Sequence, residues 1–383
     1  MNSLMQVSHQ WATRPADERF TSLPELLNKV DGQRQRSSST VVSSRQIKVQ
    51  PAAADERKGI EIVGRNGQSA IPTHWSFGQL ASLSGAPASY LRKLPAPLVA
   101  DCVNYGLRFN RDAEDIGLLL TRETAPVGDL SLMPGHSVGL GPHIELRAAT
   151  GPGYGRVWNS EIVEALMHKF GDGRTGDFRV PGEFGHEVAI TKDNTTIYGS
   201  DRDIFVFLAD EKHRIDMPNR RNGETGSLAR GFFVWNSEVG SQSIGAAFFL
   251  FDYVCQNRIV WGVREFKEMR LRHTKSAPDR WLEEISPVLV EYSNASSIPV
   301  METIKAAQDK KLADDLDDFL AKRFTKSEAT AVKAAHEREE GRPIETLWDV
   351  VTGVTAHAKT LPYQDSRVAM ERVGGKILDL VAA

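Results

Sequence analysis

Between Cys255 and Pro278 the chain places Arg258, Arg264, Lys267, Arg270, Arg272 and Lys275 against only Glu265 and Glu268, in a protein whose formal net charge is −3. Arg270 and Arg272 are two apart, so on a strand they share a face. Trp261, Phe266 and Trp281 are interleaved with these cations. Positive charge that tracks phosphates, with aromatic rings that stack on bases, is the chemistry of single-strand nucleic-acid binding. Arg214, Arg220, Arg221 and Arg230 form a second basic cluster upstream. The same residues also fit a solvated strand face whose aromatic rings are turned into a core.

A second constellation is polar rather than basic. Asn236, Ser237 and Glu238 stand between an apolar run and Gly240, and Cys255-Gln256-Asn257-Arg258 follows downstream. With Tyr154, Arg156, Asn159, Asp201 and Asp203 they form a candidate polar pocket, although such side chains also serve simply to cap backbone groups. Asp201, Asp203 and Glu238 are the carboxylates a metal-dependent phosphodiester enzyme would use. Their spacing carries no third ligand at a diagnostic distance, and no metal or cofactor is expected. His186, His213 and His273 stand near no serine or cysteine in a nucleophile elbow. Gly171–Gly176 is glycine-rich but lacks the Gly-Lys-Ser/Thr ending of a P-loop. The stretch Phe77–Lys93 has helix-turn-helix spacing, with Ala81 at the helix contact, Gly85 at the turn, and Ser89, Arg92 and Lys93 on the second helix. A plain helical hairpin packed on a sheet has the same pattern.

These residues need elements to position them. Ser22 with Glu25 reads as the start of a helix, and Gly32–Ser44 as a loop or hairpin tip. Strand patterning occurs at 45–50 and 60–71, the second broken at Asn66-Gly67. Residues 76–109 read as helix in several pieces, and strands follow at 116–122 and 143–149. A helix over Glu161–Phe170, capped by Asn159 or Ser160, precedes a glycine-rich loop. From residue 187 to 273 strand follows strand, and from Asp279 the pattern turns helical, through Trp281–Tyr292, Val300–Phe324, Lys326–Arg338, Ile344–Ala358 and Ser366–Val381. The fold class is therefore α+β, a central mostly antiparallel sheet with interspersed helices and a helical C-terminal region. Four units are expected: an N-terminal arm and loop (1–50), a hairpin plus helical hairpin (51–110), a β-rich core (111–278) and the helical region (279–383).

A chain of 383 residues with 40% hydrophobic and 25% charged residues can bury a sizeable core. Two cysteines far apart make a disulfide framework or structural zinc site a poor fit. No apolar run approaches the ~18 residues of a membrane span. The expectation is a cytoplasmic protein with no membrane partner.

Trp11–Phe20 (WATRPADERF), Tyr154–Asn159 (YGRVWN), Tyr198–Asp203 (YGSDRD), Asn236–Gly240 (NSEVG) and Cys255–Arg258 (CQNR) together resemble the phage/plasmid-like protein family. The resemblance spans roughly residues 11–290, and the tail Thr346–Leu380 also fits. It implies a mobile-element origin and a bacterial host cell, and it carries over no catalytic residue. The leading expectation is a non-enzymatic nucleic-acid-binding protein acting in replication or recombination, with single-stranded DNA as partner and a homo-oligomer as an option. Arg220, Arg221, Arg258, Arg270, Arg272 and Lys275 would contact phosphates, and Trp261 or Trp281 would stack a base. The alternatives are the metal-dependent phosphodiester enzyme and a host-interaction protein that self-associates through its helical third.

Overall fold

The computed structural model describes residues 14–52, 59–64, 67–110, 112–123, 142–181, 189–193, 195–218, 225–253, 257–262, 266, 268–312 and 315–381. Arg220, Arg221, His186, Cys255, Arg264 and Lys267 lie outside them. Among the described residues the architecture is α+β and contains two sheets.

The smaller sheet runs β2 (Ser37–Ser43), β6 (Asp115–Glu123), β7 (His143–Thr150), β5 (Ser69–Pro72), β4 (Ile60–Val63), β3 (Lys48–Pro51). Its pairs are antiparallel except β5 with β7. Helices α2 (His74–Leu83) and α4 (Ala96–Tyr105) cover it through Phe77, Leu80, Val99 and Val103. Because β6 and β7 complete this sheet, a boundary at 110/111 would cut through it.

The larger sheet runs β1 (Arg19–Phe20), β9 (Ile197–Gly199), β10 (Ile204–Asp210), β12 (Gly226–Asn236), β13 (Ile244–Asp252), β14 (Asn257–Val260). Three short strands attach to it: β8 (Phe178–Arg179) on β10, β11 (Ile215–Met217) on β12 and β15 (Met269–Leu271) on β13, and every pair is antiparallel. Strands β10 and β13 are buried along their whole length, because both faces are covered. Successive side chains of a strand point to opposite faces. One face carries Val206, Leu208, Phe232, Val234 and Phe248 against α1 (Leu23–Gln35), α5 (Asn159–Phe170), α6 (Ala277–Arg280) and α7 (Ser286–Asn294). The other carries Phe205, Phe207, Phe233, Trp235 and Phe249. Helices α8 (Ile298–Asp309), α10 (Lys326–Glu340), α11 (Leu347–Lys359) and α12 (Gln364–Leu378) pack on Leu228, Leu250, Ile259 and Trp261. Thr325 and Thr346 close capping boxes at the starts of α10 and α11.

Several expectations are corrected. Residues 14–50 are not an arm: Phe20, Leu23, Leu26 and Val30 are core, and the serine-rich stretch forms β2, where Thr40, Val41 and Val42 pair along β6. The helix expected over Val300–Phe324 breaks after Asp309, with Lys311 bridging to Thr346 and a short α9 (Leu316–Ala321) after it. The second helix of the helix-turn-helix pattern, α3 (Ala88–Leu91), is a single turn, and Arg92 lies over Phe77 and donates to the His74 carbonyl. Phe77–Lys93 is thus a packed corner with Gly85 at φ 75°, and Arg92 is committed inward. No helix among the described residues is long and apolar enough to cross a membrane.

Candidate functional site: a buried polar junction and a basic rim

Strand β12 ends at Asn236, and the chain turns through Ser237, Glu238 and Val239 to Gly240, whose φ of 80° favours glycine. Around this turn the two sheets meet. Arg147, from β7 of the smaller sheet, donates from Nη1 to Glu238 Oε2 at 3.0 Å and from Nη2 to the Asp201 carbonyl at 3.1 Å. Both side chains of this ion pair are 1% exposed. The other carboxylate oxygen of Glu238 accepts the Asn159 backbone N–H at 2.8 Å, at the first residue of α5. A carboxylate there meets orphan N–H groups and the positive end of the helix dipole. This corrects the cap expectation: Asn159 and Ser160 are already helical, and Glu238 caps from across the fold.

The remaining polar groups close the junction. Asn236 Nδ2 donates to the Val157 carbonyl (2.8 Å) and to Asn159 Oδ1 (2.7 Å). Tyr154 donates to the Ser237 carbonyl at 2.6 Å, and Arg156 donates to the Glu238 carbonyl. Ser237 Oγ donates to the Arg202 carbonyl at 2.7 Å. From the smaller sheet's side, Trp75 Nε1 and Gln79 Nε2 both donate to the Val239 carbonyl. Burial pushes the Tyr154 phenol well above its ordinary value, so it stays protonated and a donor. Its ring stacks on His273 at 4.7 Å.

The structure therefore brings together Tyr154, Arg156, Asn159, Asn236, Ser237 and Glu238, with Asp201 joined through its carbonyl. Asp203 makes a neighbouring buried ion pair with Arg14 at 2.9 Å. Asn257 does not belong to the group. Its strand partner is Asp252, opposite Leu228, whereas Asn236 is at the other end of β12. At ~3.3 Å per residue that separation is about 26 Å. Arg147, Trp75 and Gln79 were missed, since a lone arginine or glutamine in an element carries no spacing signal.

As a metal site two of the three carboxylates are already spent, Glu238 on Arg147 and Asp203 on Arg14, while Asp201 is half exposed and faces Arg202 at 3.7 Å. Among the described residues no three His, Cys, Asp or Glu side chains converge to hold a metal ion.

The basic strip divides. Arg258 is turned inward, 4.2 Å over the Phe207 ring and bonded to the buried Glu371 at 3.1 Å. Burial pushes the Glu371 carboxyl up against the opposing pull of Arg258. Arg270 is exposed, pairs with Glu268 and lies over Trp235. Arg272 and Lys275 are exposed and make no ion pair among the described residues. The base-stacking expectation for the tryptophans is corrected. Trp261 is 5% exposed with its N–H donated to Asp379, and Trp281 is 1% exposed in the core. Neither indole offers a face to a base, because strands rich in aromatic residues drew both into packing.

A family model described as a domain of unknown function (DUF932) matches residues 186–378. The chain belongs to the DUF932 family. No curated protein and no solved structure matches it. The DUF932 match takes in Asp203, Ser237 and Glu238, while their partners Arg14, Tyr154 and Arg147 lie before it.

One consequence is measurable by pH. His273 Nδ1 donates to the Gly155 carbonyl at 3.0 Å, and its Nε2 is buried without a partner. Burial holds this imidazole below its ordinary value, the Arg156 charge adds to that, and the Gly155 hydrogen bond opposes it. An unfolded chain takes up the proton near pH ~6.5, the folded chain only at lower pH. Stability from this group is therefore full above about pH 6.5 and falls as pH drops below it. The urea midpoint is expected to be lower at pH ~5.5 than at ~7.5, and His273→Gln to flatten part of that slope. An unchanged slope in the variant refutes the assignment.

Proposed function

We propose that this protein is a non-enzymatic nucleic-acid-binding protein of a phage or plasmid, acting in replication or recombination, with single-stranded DNA as its target. The observation that carries the reading is the rim formed by Arg270, Arg272 and Lys275. All three are exposed at β15 and just beyond it, and among the described residues the last two have no carboxylate partner. The rim is held in place: Gly155 N–H donates to the His273 carbonyl, and a Cβ at Gly155 would meet the Thr274 carbonyl at 1.8 Å. Cations on a fixed backbone suit the regularly spaced charges of a phosphate chain. The mobile-element part of the reading rests on the family resemblance of the YGRVWN, YGSDRD and NSEVG segments. Carboxylates neutralised by buried arginines count against the alternative of a metal-dependent phosphodiester enzyme.

The test is fluorescence anisotropy with a labelled single-stranded oligonucleotide across a salt series. Each phosphate contact contributes a slope of about −0.7 in log K against log salt for single strands. Replacing Arg270, Arg272 and Lys275 with Ala is expected to weaken binding and make the slope shallower by about 2, three contacts' worth. An unchanged affinity and slope rule out this rim. Cleavage of the oligonucleotide by the wild type with magnesium in the same tubes points instead to the enzyme.

A further inference from the structure

Beside the basic rim, strand β14 and helix α12 enclose a cavity of ≈ 270 Å³. Phe248, Trp261 and Phe266 form its apolar wall, and Glu268, Asp379, Arg372 and Lys376 stand at its polar side. We infer that this cavity seats one nucleobase of the bound strand, with the adjoining phosphate on Lys376 and Arg372. The inference rests on the nucleic-acid reading and adds to it a defined base site.

Size, wall chemistry and charge agree. Pockets for drug-sized ligands run to roughly 300–1,000 Å³, so this one is scaled to a single ring system. Phe266 is the half-buried ring in it, braced by Phe248 at 5.5 Å and Tyr292 at 5.0 Å, and a braced flat ring is what a base stacks on. Trp261 contributes only the little surface its packing leaves. Arg372 and Lys376 are one helical turn apart, so both project from one face of α12. Glu268 is shared between Arg270 and Arg372, which leaves two guanidinium groups on a single carboxylate. Lys376 is exposed and makes no ion pair among the described residues. Two cations, Arg372 and Lys376, balance Glu268 and Asp379 in the lining, and Arg270, which shares Glu268 with Arg372, gives the cavity and its rim an excess of one positive charge.

The walls are rigid for a reason the glycines explain. A Cβ at Gly375 would lie 2.1 Å from the Val260 carbonyl, and one at Gly262 would lie 1.5 Å from the Phe266 carbonyl. Only glycine lets α12 sit directly on β14 and lets the Phe266 carbonyl come so near position 262.

The test uses the full chain and a single-stranded oligonucleotide carrying 5-bromodeoxyuridine, photo-crosslinked and mapped by mass spectrometry, with binding followed by anisotropy. The crosslink is expected at Phe266. Phe266→Ala is expected to bind on the order of tenfold more weakly. Lys376→Glu, at an exposed position of α12, is expected to weaken binding about fivefold, while Lys48→Glu, exposed in β3 of the smaller sheet, leaves it unchanged. Wild-type binding with crosslinks elsewhere and an unaffected Lys376→Glu variant overturns the base site alone. Absence of any oligonucleotide binding at low salt overturns the nucleic-acid reading itself.

Discussion

Glu238→Ala is expected to lower the free energy of unfolding by roughly 3–5 kcal/mol, the usual cost of removing one partner of a fully buried ion pair. The substitution leaves the Arg147 guanidinium in the junction with only the Asp201 carbonyl on that side, and its Nε is already without a partner. It also strips the N-terminus of α5 of its acceptor, a loss of about 1 kcal/mol by itself. Arg147→Met combined with Glu238→Leu is expected to be milder than either charge removal alone, since no charge is then stranded. Urea unfolding of Glu238→Ala, Arg147→Met and the double variant, read as midpoint and slope, measures both statements. A single-variant loss below ~1 kcal/mol would show that water reaches the pair.

Phe233→Ala is expected to cost about 3–5 kcal/mol, the range for deleting a buried phenyl ring. Phe233 is fully buried and touches Phe207 (ring centroids 4.7 Å apart), Trp235 (5.3 Å) and Phe249 (6.5 Å). These rings carry cations: Arg258 rests on Phe207 and Arg270 on Trp235. The cavity left by Phe233 lets both rings tilt, so the variant should also bind oligonucleotide more weakly than its residual folded fraction accounts for. Phe233→Leu fills more of the space and should recover most of the stability. Equal stability of Phe233→Ala and wild type in urea would contradict the packing described here.

Much of this architecture could be read from local pattern. The apolar runs of β12 and β13, the Ser22 cap of α1 and the strands flanking Gly67 are short-range signals. The division of strands between two sheets was not readable, because pairing such as that of Ile71 with Glu145 joins residues distant in sequence. Nor was β2, where serines made a strand look like a loop until β6 supplied its hydrogen-bond partners. At the junction, Tyr154, Arg156, Asn236, Ser237 and Glu238 stood out by residue type next to glycine. Arg147 did not, since its role comes from a carboxylate 91 positions away. Asn257 was grouped with them by motif proximity, and strand register separates them. The tryptophans misled for a related reason: an indole beside arginines reads alike whether its ring faces solvent or core.

Helix α12 completes an edge that the sheet cannot complete locally. Arg258 meets Glu371 across 113 positions and Trp261 meets Asp379 across 118, while Gly375 sits against the Val260 backbone. Contacts of such long sequence separation form late, because loop closure must precede them. Until α12 docks, β14 presents open backbone hydrogen-bonding groups beside an apolar aromatic face, the condition under which chains pair with one another. Refolding should accordingly be slow and sensitive to protein concentration, and variants that weaken the α12 seat should lose yield during synthesis before they lose stability once folded.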